Sequence, residues 1–163
     1  MDAIEALRTR RSVRLYEPLP VERTKLETMV DCGRLAATAR NGQVWEFVVV
    51  TEAEGRKRIA AVAENGRFIA DAGACIAVFC QESNYYLEDG CAATQNMLVA
   101  GRALGLGTCW VAGDKKAYAE KVRELLGAPQ GYKLVSLIAV GYAAQTPAPI
   151  KRELTDVLHW EQF

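Results

Sequence analysis

A single histidine, His159, is the scarcest side chain in this sequence of 163 residues. That scarcity argues against imidazole-rich metal centres and against Cys-His or Ser-His nucleophile pairs. The five cysteines are an odd number and form no C-x-x-C pair, which excludes a disulfide framework and a zinc ribbon as first readings. Most of them lie in apolar runs, as expected of reduced packing residues in a cytoplasmic protein. Excess charge of either sign is also missing. Twenty basic residues balance twenty acidic ones, so no global field favours nucleic acid or a membrane surface. No apolar run reaches the ~18 residues of a membrane span, and Met1-Asp-Ala-Ile-Glu5 is acidic and helix-like, unlike a targeting leader.

Against that balance one stretch stands out, Arg8-Thr-Arg-Arg-Ser-Val-Arg14, with four guanidinium groups in seven residues. Arginine presents a planar fork of donors suited to phosphate, and Ser12 adds a hydroxyl or backbone donor. A solvated basic face, or a cationic helix end matching the macrodipole, is the plainer explanation of the same residues.

The length suits one domain over residues 1–163, enough to bury about 70% of the surface exposed when unfolded. Residues 2–10 read as a short helix with Ile4, Ala6 and Leu7 inward. A second helix is expected to begin with Pro20 in its first turn, burying Leu26, Met29, Val30, Gly33, Ala36 and Ala37. The polar loop Thr38–Gln43 leads to Trp45 and the strand-like Phe47–Val50. Thr51 and Glu54 then match a capping box for a helix to about Ala63. Ala74–Cys80 is apolar on both faces, as in a covered central strand. The next helix, about Leu87 to Leu104, carries only Arg102 as a charge after Asp89 and is small and apolar all round, a pattern for burial in a core or subunit interface. Thr108–Gly113 and Leu134–Tyr142 are two further strands, separated by a helix over 116–127 closed by Gly127. Gly105-Leu-Gly107 follows a helix instead of joining a strand to one, which is not a dinucleotide fingerprint. Four apolar strands among helices indicate a three-layer α+β or α/β domain.

Several pieces then resemble one family. Arg10-Arg-Ser-Val-Arg-Leu-Tyr16 is similar to the opening signature of the nitroreductase-like flavoproteins, and Asn41-Gly-Gln-Val-Trp-Glu-Phe47 to their Asn-x-Gln-Pro-Trp-x-Phe segment. Asp89 to Leu98 and Leu104 to Trp110 resemble their central helix and the strand after it, and Ile138-Ala-Val-Gly141 with the basic, aromatic tail resembles their end. The resemblance implies a three-layer α/β/α fold with a central, mainly antiparallel sheet. It also implies a homodimer with FMN at the subunit interface. Arg10, Arg11, Ser12 and Arg14 would contact the FMN, with Arg10 at the phosphate and Arg14 toward the pyrimidine edge. Thr38, Ala39 and Asn41 would reach it from the partner chain. Trp110, Val111, Ala112 and Gly113 would lie along the ring, Lys151 or Arg152 would complete the phosphate site, and Asn65 would hydrogen-bond the flavin. Where the family has Pro-Ser this chain has Ala37-Thr38, Val44 replaces the proline before the tryptophan, and Phe68 stands where some members carry lysine.

The implied activity is ping-pong transfer from NADH or NADPH, through flavin N5, to a small acceptor such as a nitroaromatic or quinone. The chemistry resides on the flavin, with no catalytic side chain beyond Arg14 as an electrostatic stabiliser and no metal. A non-catalytic flavin carrier or sensor is the alternative. No nucleic-acid or membrane partner is expected. Trp45 and Phe47 are expected in the core, and His159 and Trp160 to anchor the tail on the partner.

Overall fold

The computed structural model describes residues 1–163. Its centre is a four-stranded sheet in the order β1-β2-β4-β3, formed by Trp45–Val50 (β1), Ala74–Gln81 (β2), Gly107–Ala112 (β3) and Tyr132–Gly141 (β4). All three strand pairings are antiparallel. β2 and β4 are the inner strands, and their near-continuous apolar sequences follow from helices covering both faces.

Period-2 alternation sorts the side chains into two cores. Ala74, Ile76, Val78 and Cys80 of β2 face one layer, made by Arg23–Arg34 (α2) and Tyr86–Ala103 (α4) through Leu26, Met29, Ala93, Met97 and Leu98. Cys75, Ala77 and Phe79 face the other, made by Ala53–Val62 (α3), Ala119–Leu125 (α5) and the 3-10 segment Glu64–Asp71. This is a three-layer α+β fold.

One irregularity organises the centre. The register of β2 against β4 passes from Val78↔Ser136 to Phe79↔Leu134, so Val135 is an extra residue, a β-bulge. The bulge turns Val135 toward α4, where Gly90 receives it. A Cβ built on Gly90 would lie 2.6 Å from Val135 Cγ2. Beside it, buried Thr94 and Ser136 share a hydroxyl hydrogen bond of 2.8 Å, and the Thr94 hydroxyl also reaches the Gly90 carbonyl. The small residues of α4 are therefore a packing requirement. Gly33 of α2 likewise admits Met97, whose Cγ would be 2.9 Å from an added Cβ.

Several local expectations are corrected. Ala3–Thr9 (α1) forms, with Asp2 accepting from the Glu5 N–H at 2.8 Å, but only Ala6 is buried. Ile4 and Leu7 are about half exposed, because nothing in this chain covers that face. α2 begins at Arg23, not at Pro20, and its buried residues are Leu26, Met29 and Gly33, while Ala37 lies beyond it and exposed. The capping box before α3 does not form: Glu52 is the N-cap without a side-chain bond, and the Thr51 carbonyl instead accepts from Arg56. The helix expected over 116–127 is shorter, though Gly127 does take the left-handed conformation just after it, at φ 68°. Trp45 is buried, and Phe47 packs against the same core.

Candidate functional site

The arginine stretch is tied to the sheet by strand-like pairing. Val13 donates its N–H to the Thr108 carbonyl at 2.9 Å, and Ser12 bridges Thr108 in parallel at the outer edge of β3. Glycine at 107 is needed for this approach, since a Cβ there would meet Val13 at 2.9 Å. Tyr16, donating to the Val13 carbonyl at 2.6 Å, closes the turn that follows, and burial pushes its hydroxyl strongly upward in pKa.

Arg10, Arg11, Ser12, Arg14 and Lys151 line one open cavity of about 390 Å³, closed on the far side by Pro147–Pro149. No carboxylate lines it. The proline-bearing segment after β4 delivers Lys151 there, held by the Ala144 N–H donating to the Leu15 carbonyl at 3.0 Å. Arg152 turns away and donates to the Asp156 carbonyl at 2.5 Å. Arg14 makes no ion pair with Glu17; its guanidinium lies 5.9 Å from the ring centroid of Phe68. The segment carrying Phe68 and exposed Asn65 is pressed against β3, where a Cβ on Gly66 would meet Val111 Cγ1 at 3.1 Å.

β3 is an edge strand, and that decides which of its donors are free. Gly113 and Asp114 both give their N–H to the carbonyl of bulged Val135, at 3.0 and 3.3 Å. Alternation along an antiparallel strand then turns the N–H groups of Trp110 and Ala112 to the open edge. Val111 is buried and Trp110 half-buried. Gly113 is forced to be glycine, because a Cβ would meet Leu134 Cγ at 2.6 Å and its carbonyl at 2.9 Å.

The loop carrying Thr38, Ala39 and Asn41 lies elsewhere. The Ala39 N–H donates to Oδ1 of buried Asp89 at 3.0 Å, and the Gln43 N–H to Thr38 Oγ1 at 3.3 Å. Arg40, Asn41 and Gln43 all have positive φ. Asp89 sits in the first turn of α4, whereas Arg102, in its last turn, contacts Thr9 beside the arginine stretch. At 1.5 Å per residue those two ends are roughly 20 Å apart. Within one chain, the loop and the arginines therefore occupy opposite ends of α4.

Two contributors and one hydrogen bond escape the sequence. Asp89 is legible only as an acid favoured, like Glu88, at a helix N-terminus. The bulge at Val135 leaves no sequence signal. Tyr86 donates to Asp114 Oδ1 at 2.7 Å just past β3, and this bond, with burial, pushes the tyrosine up to about 12. Asp114 Oδ2 is buried without a partner.

Residues 7–82 and 81–142 match the model of the nitroreductase family. A Methanothermobacter thermautotrophicus protein, provisionally named NADH dehydrogenase/NAD(P)H nitroreductase, is 30% identical over 169 residues, covering 100% of this chain and 88% of its own. The NADPH-flavin oxidoreductase of Vibrio harveyi is 26% identical across 90% of this chain and 68% of that longer one. Among solved structures, an FMN-dependent nitroreductase of Clostridium difficile superposes with a TM-score of 0.91 at 26% identity, covering 98% of this chain and 99% of that one.

Proposed function

The chain belongs to the nitroreductase family of oxidoreductases, and we propose that it is an FMN-dependent enzyme that takes electrons from NADH or NADPH and passes them to a small acceptor such as a nitroaromatic or quinone. The observation that carries this reading is the convergence of Arg10, Arg11, Ser12 and Lys151 on one acid-free cavity beside the open edge of β3. That donor set fits a phosphate monoester dianion, and the adjoining edge offers the Trp110 and Ala112 N–H groups to the rim of a flat heterocycle.

When bound, FMN supplies two-electron chemistry at N5. The protein's part is to hold and polarise it. Arg10, Arg11, Ser12 and Lys151 clamp the phosphate, which fixes where the ring can lie. Ala112 and Trp110 donate to the ring edge from a strand that cannot shift, being bonded to β4 along its length. Arg14, steadied over Phe68, places a fixed positive charge at the pyrimidine side, where negative charge collects on reduction. Asn65, on the segment packed against β3, reaches the same ring.

Thr38, Ala39 and Asn41 complete the site from a second copy, because their own chain holds them at the far end of α4. The apolar surface left open supports a homodimer: Ile4, Leu7, Ile150, Leu154, Trp160 and Phe163 are all more than half exposed. The tail with Trp160 then packs on the partner.

Binding of FMN and of riboflavin, which lacks the phosphate, tests this assignment. Arg10→Ala should weaken FMN about 10- to 100-fold, the worth of a charge-assisted contact, and leave riboflavin unchanged. Arg14→Gln should still bind FMN but hold it at a lower two-electron potential. Equal FMN affinity in wild type and Arg10→Ala would remove the phosphate assignment.

A further inference from the structure

Adjoining the first cavity is a second, of about 380 Å³, lined by Arg8, Arg10, Arg11, Arg102, Gln145 and Thr146 among others. It shares Arg10, Arg11, Pro147 and Ala148 with the cavity assigned to the FMN phosphate, and no carboxylate lines it. Three of the eight arginines outside the two cavities, Arg23, Arg34 and Arg123, hold a carboxylate, on Glu27, Asp31 and Glu120. Arg8, Arg11 and Arg102 have no such partner.

Two of the guanidinium groups, those of Arg11 and Arg102, are nonetheless held in place by neutral groups. Arg11 Nη1 donates to the carbonyls of Arg8 and Arg10, both at 2.8 Å. Arg102 Nε donates to Thr9 Oγ1 at 2.9 Å, and that hydroxyl is itself fixed by donating to the Glu5 carbonyl at 2.7 Å. The terminal nitrogens of Arg102 are left for something else. Placement in the last turns of α1 and α4 would account for Arg8 and Arg102 singly, as cations at helix C-termini. It does not account for Arg102 sharing an acid-free cavity with Arg8, Arg10 and Arg11 of the arginine stretch.

We propose that this cavity is a second phosphoryl site, adjacent to the first, so that the chain accommodates two neighbouring phosphoryl groups. The inference rests on the FMN reading for the first of them. The second could belong to the same molecule, as in a flavin dinucleotide, or to a separate anion. Guanidinium forks suit either, since each presents paired donors to phosphoryl oxygens.

The experiment uses the full chain and its Arg8→Gln/Arg102→Gln variant, with FMN, FAD and pyrophosphate as probes, read by calorimetry and flavin difference spectra. The expected result is that pyrophosphate binds the FMN-loaded protein, or FAD binds the flavin-free protein, and that the variant loses at least about tenfold of that affinity. FMN affinity stays unchanged, and the ligand-free protein melts at most a few degrees lower, since the Arg102–Thr9 bond and two cations at helix C-termini are lost. Pyrophosphate binding beside FMN assigns a separate anion; FAD binding that the variant weakens assigns a dinucleotide. The proposal is overturned if pyrophosphate binds only by displacing FMN and FAD does not bind, or if the double variant weakens neither ligand. Failure of FMN itself to bind would count against the functional reading, while pyrophosphate on the flavin-free protein would still decide the second site.

Discussion

At the scale of single residues, the sequence conveys chemistry well and partners poorly. Arg10, Arg11, Ser12, Arg14 and Lys151 are conspicuous because guanidinium and ammonium groups so dense need an anion, and all five line one cavity. Arg152 is as basic as Lys151, yet it turns to the Asp156 carbonyl, a choice set by the backbone of the tail. Phe68 under Arg14 and Asp89 under Ala39 are contacts between distant segments, and no local pattern announces them. The cysteines follow the apolar runs that contain them. Cys75, Cys80 and Cys109 are buried, and burial pushes the thiols of Cys75 and Cys80 up to about 12. In the unfolded chain these thiols ionise near pH 9, while the native protein retains their protons until about pH 12. The unfolded state thus binds fewer protons in that window, so stability falls as pH rises from about 9 toward 12, by up to ~1.4 kcal/mol per pH unit for each thiol. Melting temperature followed from pH 8 upward should drop, and Cys75→Ala should flatten the drop. An unchanged slope in that variant would contradict the burial argument.

Elements were legible where periodicity is strong, and their ends were not. The four strands and the long α4 follow from apolar runs and small-residue patterning, and each falls within a residue or two of its expected place. The capping box at Thr51 failed because Glu52 takes the N-cap position and the Thr51 carbonyl accepts from Arg56 instead. The bulge at Val135 is the feature sequence could not supply, since one extra residue in a strand buried on both faces leaves the apolar pattern without a break in alternation. It matters for function, because its carbonyl takes the Gly113 and Asp114 N–H groups and thereby fixes which donors of β3 remain free. Gly90 is the counterpart of the bulge on α4. Gly90→Ala should bring Cβ against Val135 Cγ2 and Cys80 Sγ, costing about 1–3 kcal/mol of overpacking against a gain of up to ~1 kcal/mol in helix propensity. A melting temperature lowered by a few degrees is expected; one that rises would show that the α4–sheet contact is slack.

For the whole molecule, the fold class was readable, and the proposed contribution of Thr38, Ala39 and Asn41 from a second copy was signalled only by resemblance. No helix is long and apolar enough to cross a membrane, and apolar residues of α1 and of the tail are exposed. Residues 151–163 are exposed throughout, with Trp160 at 79%. A second copy would cover such a tail, and it would also bring Thr38 and Asn41 to the arginine end. Flavin retention should therefore depend on assembly. Dilution followed by sedimentation and absorbance should show FMN leaving as dimer gives way to monomer, and monomer that keeps its flavin would mean that one chain suffices.

The central claim is that the acid-free cavity and the open edge of β3 hold a flavin that cycles. Its most direct test is anaerobic titration of the FMN-loaded protein with NADH and NADPH, watching the visible flavin band. The account predicts that at least one nicotinamide bleaches the band and that adding a quinone or nitroaromatic restores it. A bound flavin that neither nicotinamide bleaches would contradict the enzyme reading and point to a carrier or sensor.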